Sequence, residues 1–204
     1  MPKIVDHAQR RTELGSAVRR VVARSGVGGA TVRAVAAESG WSMGALRYYF
    51  STQTELLDFA VTQMFADVPM RIAEVLDTHE PGIERAQAVL EEMLPLDADR
   101  LAEVRVYLAF MARVRTADGR PGLAEQTWHG ERHLCGIAVA DVMGLDHPVE
   151  VGVVPAPLLA AVDELQVLVD GLSFLGATVP AQLTPEKSRA LLRARLDVLR
   201  SRAR

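Results

Sequence analysis

Apolar residues three and four positions apart recur through almost the whole 204-residue chain, and this helical spacing constrains the fold more than any other feature. In the first such segment, residues 7–26, the apolar stripe consists of Leu14, Val18, Val21 and Val22. Proline and glycine signals bound further predicted helices at 83–94, 98–116, 122–144, 156–178 and 185–201. No useful length of chain alternates apolar with polar residues, as a strand would. The sequence therefore predicts an all-α protein of about nine helices.

Composition agrees with an ordinary folded chain. Hydrophobic residues make up 49% and charged residues 24% of the sequence, which argues against a disordered or low-complexity protein. Cys135 is the single cysteine, so a reducing compartment is expected and an intramolecular disulfide is excluded. The first eleven residues hold no apolar signal segment, and the longest apolar stretch, 151–162, is interrupted by two prolines. Neither secretion nor membrane insertion is expected.

Charge is distributed unevenly along the chain. The formal net charge is −3, yet residues 1–50 carry +5, which leaves −8 to the remainder. The basic residues of this first segment are Lys3, Arg10, Arg11, Arg19, Arg20, Arg24, Arg33 and Arg47. We call the basic residues 1–50 the head and the acidic remainder the body. Because attraction between charges is screened within about 8 Å at physiological salt, a polyanion is expected to bind the head alone.

Residues 31–50 have the spacing of a helix, a tight turn and a second helix. Thr31 and Ser42 are suitable N-caps, and Gly40 is the turn residue between the two helices. A fourth helix is predicted to begin near Thr52 and to carry Pro69 in its interior. The residues expected to anchor the second helix of the unit inward are Leu46, Tyr49 and Phe50.

A helix-turn-helix unit places its second helix in the major groove of DNA. Arg33 is long enough to reach a phosphate or a guanine edge. Of the two tyrosines, Tyr48 is a stronger candidate for contact with DNA than Tyr49. Small residues at the start of the second helix permit close approach to the groove. The candidate DNA-contacting residues from this reasoning are Thr31, Arg33, Ser42, Met43, Gly44, Ala45, Arg47, Tyr48 and Tyr49.

The stretch TVRAVAAESGWSMGALRYYFSTQTELL, residues 31–57, resembles the TetR family of bacterial transcriptional regulators. The resemblance covers residues 8–60. In the body it rests on helix count and on VDGLSFLGA at 169–177, which is similar to a subgroup that includes the betaine-responsive repressors.

Three positions depart from the family pattern. Arg47 stands where the family usually has Tyr, and Trp41 replaces a smaller aliphatic residue in the turn. Gln53 stands where the family usually has a lysine that contacts phosphate, so it joins the candidate DNA contacts. Arg47 can replace the cation that is lost at Gln53.

The resemblance implies a DNA-binding domain at 1–51, with its helix-turn-helix core at 31–50, and a helical effector-binding and dimerisation domain at 52–204. It implies a homodimeric repressor of a palindromic operator that a small-molecule effector releases. The expected partners are double-stranded DNA, a second copy of the chain and the effector. Neither an enzymatic activity nor a cofactor is expected, and the protein is expected in the cytoplasm on the nucleoid.

The sequence of the body predicts an effector site and a dimer interface. Methionine and aromatic side chains are common linings of adaptable cavities, so a largely apolar or aromatic effector is expected beside Met64, Phe65, Phe110, Met111, Trp128, His129 and His133, with a histidine as its orienting polar contact. The helix at 156–178 is apolar on more than one face and must be buried on two sides. It is predicted to form a four-helix dimer interface with the last helix through Leu158, Val162, Leu165, Val169, Leu172, Leu192, Leu196 and Leu199.

Two alternatives stay open. His129 and His133 lie one helical turn apart with Glu131 and Cys135 nearby, so a helical metal-dependent enzyme is a second hypothesis. The order HGERH differs from the HExxH of metalloproteases, because its glutamate points away from the histidine face, and no metal site is expected. A third hypothesis is a structural DNA-binding protein that has lost induction; it would lack a cavity in the body.

Overall fold

The computed structural model describes residues 7–114 and 121–202, and these form nine α-helices with no strand among them. The first four helices are α1 His7–Gly29, α2 Val32–Ser39, α3 Met43–Tyr49 and α4 Gln53–Thr78. The other five are α5 Ile83–Glu91, α6 Ala98–Val114, α7 Pro121–Met143, α8 Leu159–Thr178 and α9 Pro185–Arg202, with a 3-10 turn at Ala156–Leu158 before α8. The predicted all-α fold is confirmed.

Side-chain caps start the helices around the turn where the sequence predicts them. The Thr31 hydroxyl accepts a hydrogen bond from the Ala34 amide at 3.2 Å, and the Ser42 hydroxyl accepts from the Ala45 amide at 3.1 Å. Thr52 caps α4 in the same way. Each cap satisfies a backbone N–H that has no partner within its own helix.

Gly40 and Gly26 adopt a positive φ at helix ends in the first part of the chain. Gly40 ends α2 with φ 73° and ψ 11°, and Gly26 breaks α1 with φ 69° and ψ 176°. Residues with a Cβ rarely adopt a positive φ. The predicted helix end at Gly26 is therefore confirmed as a break, although a further helical turn follows it.

Buried apolar residues form two large cores. One unites α1, α2 and α3 with the first half of α4 and with α6, and the other unites α5, α7, α8 and α9. A smaller cluster joins Ile72 in the second half of α4 to Val89, Leu134 and Ile137. Helix α4 thus runs from the core of the head into the body, and the packing continues across the predicted boundary at residue 51.

Candidate nucleic-acid interface and cavity

The helix-turn-helix unit buries one face against the head. Val35, Ala36, Leu46 and Phe50 are between 0% and 6% exposed. The inward placement of Tyr49 is wrong, because Phe50 occupies the inner position at the end of α3 and Tyr49 is 50% exposed. The Tyr49 ring instead meets the edges of the Trp41 and Tyr48 rings, at centroid distances of 5.9 Å and 5.3 Å.

The opposite face of the unit is polar and open to solvent. Arg33 and Arg47 are exposed, and Tyr48 is 85% exposed. Gly44 and Ala45 are exposed at the start of α3, and a Cβ added to Gly44 would meet no atom within 4 Å. The protein's own packing therefore does not require glycine here, and a second molecule can approach the start of α3 closely.

Ion pairs within the protein separate the basic residues of the head into two groups. Arg20 and Arg24 both pair with Glu38, at 2.7 Å and 3.0 Å, and these contacts join α1 to α2. Within the described residues, no carboxylate lies within 4.0 Å of the guanidinium of Arg33 or Arg47. Arg33 and Arg47 thus leave free positive charge on the outer face of α2 and α3, where it attracts a polyanion.

Gln53 is engaged with the protein itself. Its side-chain amide donates to the carbonyl oxygen of Val27 at 3.0 Å and to that of Gly28 at 3.4 Å. These bonds tie the start of α4 to carbonyls at the end of α1, and the Val27 carbonyl also accepts from the Ala30 amide at 3.1 Å. Its contact with phosphate stays a prediction. Met43 is half-buried against the head core, and Lys3 lies outside the described residues.

A cavity of about 720 Å³ lies in the body between α4, α6, α7 and α8. The structure brings together five of the residues predicted for an effector, namely Met64, Phe65, Met111, Trp128 and His133. The other two do not line the cavity. Phe110 is 1% exposed in the core shared with α1, and His129 packs against the turn at Gly152, where an added Cβ would lie 3.0 Å from its Nδ1.

The acidic groups of the cavity were not predicted from the sequence. Glu131 on α7 and Asp170 on α8 line its wall beside Tyr107 on α6, and the Tyr107 hydroxyl interacts with Glu131. Burial, reinforced by the nearby Asp170, raises the pKa of Glu131 to about 8. Asp170 is exposed at the edge of the cavity, and partial burial by the wall raises its pKa. The one signal in the sequence was Glu131 itself, a carboxyl that follows Trp128 by three residues on a helix with apolar neighbours.

A chain of ion pairs connects the cavity wall to α1. Arg19 on α1 lies 3.6 Å from Glu103 on α6, and Glu103 lies 3.0 Å from Arg71 on α4. Arg71 in turn lies 3.1 Å from Glu92, which also pairs with Arg100. Four members of this chain line the cavity, namely Arg71, Glu92, Arg100 and Glu103. A molecule in the cavity can therefore act on a charged contact of the head.

The residues predicted for the dimer interface are buried inside the single chain. Leu158, Val162, Leu165, Val169, Leu172, Leu192, Leu196 and Leu199 are at most 3% exposed and belong to the core of the body. Because these side chains are buried in the chain's own core, they cannot contact a second copy while the chain is folded. The apolar side chains that α8 and α9 leave exposed are Leu159, Val167, Phe174, Leu175, Leu191 and Val198.

The structure does not support the hypothesis of a metal site at His129 and His133. Across residues 7–114 and 121–202, no three His, Cys, Asp or Glu side chains are grouped as metal ligands. Burial raises the pKa of the Cys135 thiol, which keeps it protonated rather than in the thiolate form that binds metal.

Most of the body matches a known protein family. Residues 82–201 match the family model described as "BetI-type transcriptional repressor, C-terminal", and this match covers more than half of the chain. The chain belongs to the TetR family of transcriptional regulators.

Relatives of this TetR-family chain are transcriptional regulators. It is 40% identical over 115 residues to the HTH-type transcriptional regulator PksA of Bacillus subtilis, an alignment that spans 56% of each protein. It is 26% identical over 199 residues to the HTH-type transcriptional regulator BetI of Stenotrophomonas maltophilia, covering 97% of this chain and 96% of that one. A transcriptional regulator from Rhodococcus sp. Rha1 has a similar structure, with a TM-score of 0.70, 28% identity and coverage of 93% and 95%.

Family membership decides between the classes of function considered above. The TetR-family chain is a helix-turn-helix transcriptional regulator, and the hypothesis of a metal-dependent enzyme is wrong, because the family and its relatives are regulators. Within the described part of the chain, no helix is long and apolar enough to cross a membrane.

Proposed function

We propose that this TetR-family protein is a homodimeric repressor that binds a palindromic operator and leaves it when a small-molecule effector occupies the cavity. The observation that carries the proposal is the pairing of two features in one chain. The outer face of α2 and α3 holds Arg33, Arg47 and Tyr48, and the cavity wall reaches α1 through the Arg19–Glu103 contact.

Helix α3 is proposed to enter the major groove. Its first residues, Gly44 and Ala45, allow the backbone to approach the base edges, while Arg33 and Tyr48 reach phosphates or bases on either side. A twofold dimer presents two such helices to half-sites about 34 Å apart, which is one helical turn of DNA. The protein bound in this way would be located on the nucleoid.

The dimer is proposed to form through the exposed apolar face of α8 and α9. Val167 and Leu175 lie about two turns apart on α8, and Leu191 and Val198 lie two turns apart on α9. Apolar faces of this kind on adjacent helices are typical of four-helix interfaces between subunits. The proposal thus keeps the two helices expected from the sequence and moves the interface to their other face.

The effector is proposed to have a largely apolar body, because α4 contributes Met64, Phe65, Val68 and Ile72 to the cavity. Displacement of α4 or of its Arg71–Glu103 pair would alter the position of α1 and with it the separation of the two heads. A structural DNA-binding protein without induction would lack a cavity, so the cavity of about 720 Å³ favours the inducible form.

Binding of the protein to its own upstream DNA tests the proposal. We expect Arg33→Ala and Tyr48→Ala each to weaken operator binding by about 1–3 kcal/mol where they contact bases, and by less where they contact phosphate. Fluorescence anisotropy at fixed salt measures the affinity. Because both side chains are exposed, the melting temperature should barely change.

Arg200→Ala provides the control, since Arg200 is an exposed arginine at the far end of the chain, on α9. Unchanged operator affinity in both head variants would remove Arg33 and Tyr48 from the interface. An equal loss on random-sequence DNA would make Arg33 a phosphate contact rather than a base contact.

A further inference from the structure

The charged side chains of the cavity wall divide into paired and unpaired groups. Arg71 and Arg100 are each engaged with Glu92, and Arg71 also pairs with Glu103. On the opposite side, Glu131 and Asp170 have no Lys, Arg or His partner within 4.0 Å among the described residues. The paired guanidinium groups offer little free positive charge, so the ionisable groups of the cavity that lack a partner of opposite charge are acids.

Burial of an ionised carboxyl in apolar surroundings costs free energy unless an opposite charge accompanies it. The Tyr107 hydroxyl interacts with Glu131 but supplies no charge. Burial lowers the pKa of His133, the remaining basic group of the wall, and so keeps its imidazole neutral. Nothing described in the protein therefore compensates a charge on Glu131, and Asp170 lies at the solvent-exposed edge of the same wall without a basic partner.

We propose that the effector is a lipophilic cation whose positive centre lies between Glu131 and Asp170. This inference rests on the proposed function, because it names the chemical class of the molecule that would occupy the same cavity. It adds a charge to the apolar or aromatic body expected from the sequence, and it assigns the orienting polar contact to the two carboxyls rather than to a histidine.

The rest of the cavity wall is suited to the nonpolar groups of such an ion. Phe65, Tyr107, Trp128 and Phe174 bring aromatic rings to the cavity, and the faces of aromatic rings attract cations. Trp128 already carries a cation on its ring, since the Arg132 guanidinium lies 4.8 Å from its centroid. A volume of about 720 Å³ lies in the range of sites that hold a drug-sized ligand, so the cation is expected to be larger than a simple amine.

Two ions of the same shape and opposite charge separate the electrostatic contribution from apolar burial. Tetraphenylphosphonium and tetraphenylborate are titrated into the full chain by calorimetry at pH 8.5, where Glu131 is ionised. We expect the phosphonium to bind at least about tenfold more tightly, a difference of about 1.4 kcal/mol. The double variant Glu131→Gln/Asp170→Asn should lose this preference.

Glu125→Gln is the matched control, because Glu125 lies on α7 but outside the cavity with a side chain 75% exposed. It should retain the full preference for the cation. Equal binding of the two ions by the wild type, tighter binding of the borate, or binding of neither would overturn the proposal, as would a preference that survives in the double variant.

Failure of this inference is distinguishable from failure of the proposed function. Operator binding by the ligand-free protein is measured separately. A chain that binds its upstream DNA but does not prefer the cation remains a regulator with a different effector class, whereas a chain that does not bind the DNA contradicts the proposed function whatever the cavity prefers.

Discussion

At the scale of single residues, the acid Glu131 lowers the stability of the fold that contains it. Its pKa in the folded chain is about 8, against an ordinary value of 4.5. Between these two values the folded chain holds a proton that the unfolded chain has released, so the free energy of unfolding decreases as the pH rises through this range. Above about pH 8 the full cost of the buried charge is present.

Glu131→Gln should therefore stabilise the protein at high pH. The amide keeps the shape of the side chain but never carries the charge. We expect the variant to exceed the wild type by about 1–3 kcal/mol at pH 9, and the difference to shrink toward pH 4.5. Urea unfolding at the two pH values measures it, and a gain of equal size at both would show that burial of the charge is not the cause.

Residue-scale prediction from the sequence succeeds where the cause is local. Thr31 and Ser42 cap their helices through amides three residues away, and Gly40 needs only its own backbone freedom. Tyr49 could not be placed in this way, because helical spacing alone does not show that Phe50 fills the inner position. The cavity role of Glu131 depends on the packing of α6 and α8 around α7, which no local pattern records.

At the scale of elements, α8 has apolar side chains on both faces. One face, which includes Leu165, lies in the core of the single chain, and the other, which includes Val167, is open to solvent. The sequence predicts that such a helix is buried on two sides. Periodicity cannot say which side faces the chain's own core and which faces a second copy, because both sides are apolar in the same way.

A matched pair of substitutions on α8 tests the revised interface. Val167→Arg places a charge on the exposed face, where Val167 is 73% exposed, and should give a helical monomer. Leu165→Arg buries a charge in the core and should unfold the chain. Light scattering at micromolar concentration and circular dichroism distinguish the two results. A Val167→Arg variant that is still dimeric would place the interface elsewhere.

At the scale of the whole molecule, the head and the body share structural elements. Helix α4 contributes to the core of the head and to the cavity wall, and α6 does the same through Phe110 and Glu103. The Arg19–Glu103–Arg71 chain adds a charged contact from α1 to that wall. Occupation of the cavity and binding of DNA are therefore expected to be coupled, and each must affect the other by the same factor.

The most direct test is the affinity of the preformed operator complex in the presence of a compound that raises the melting temperature of the protein. We predict that saturation with this compound weakens operator binding by about 5- to 150-fold, and that operator DNA weakens binding of the compound by the same factor. The Arg19→Gln variant should show a smaller factor. A compound that saturates the cavity while operator affinity stays unchanged would contradict the account.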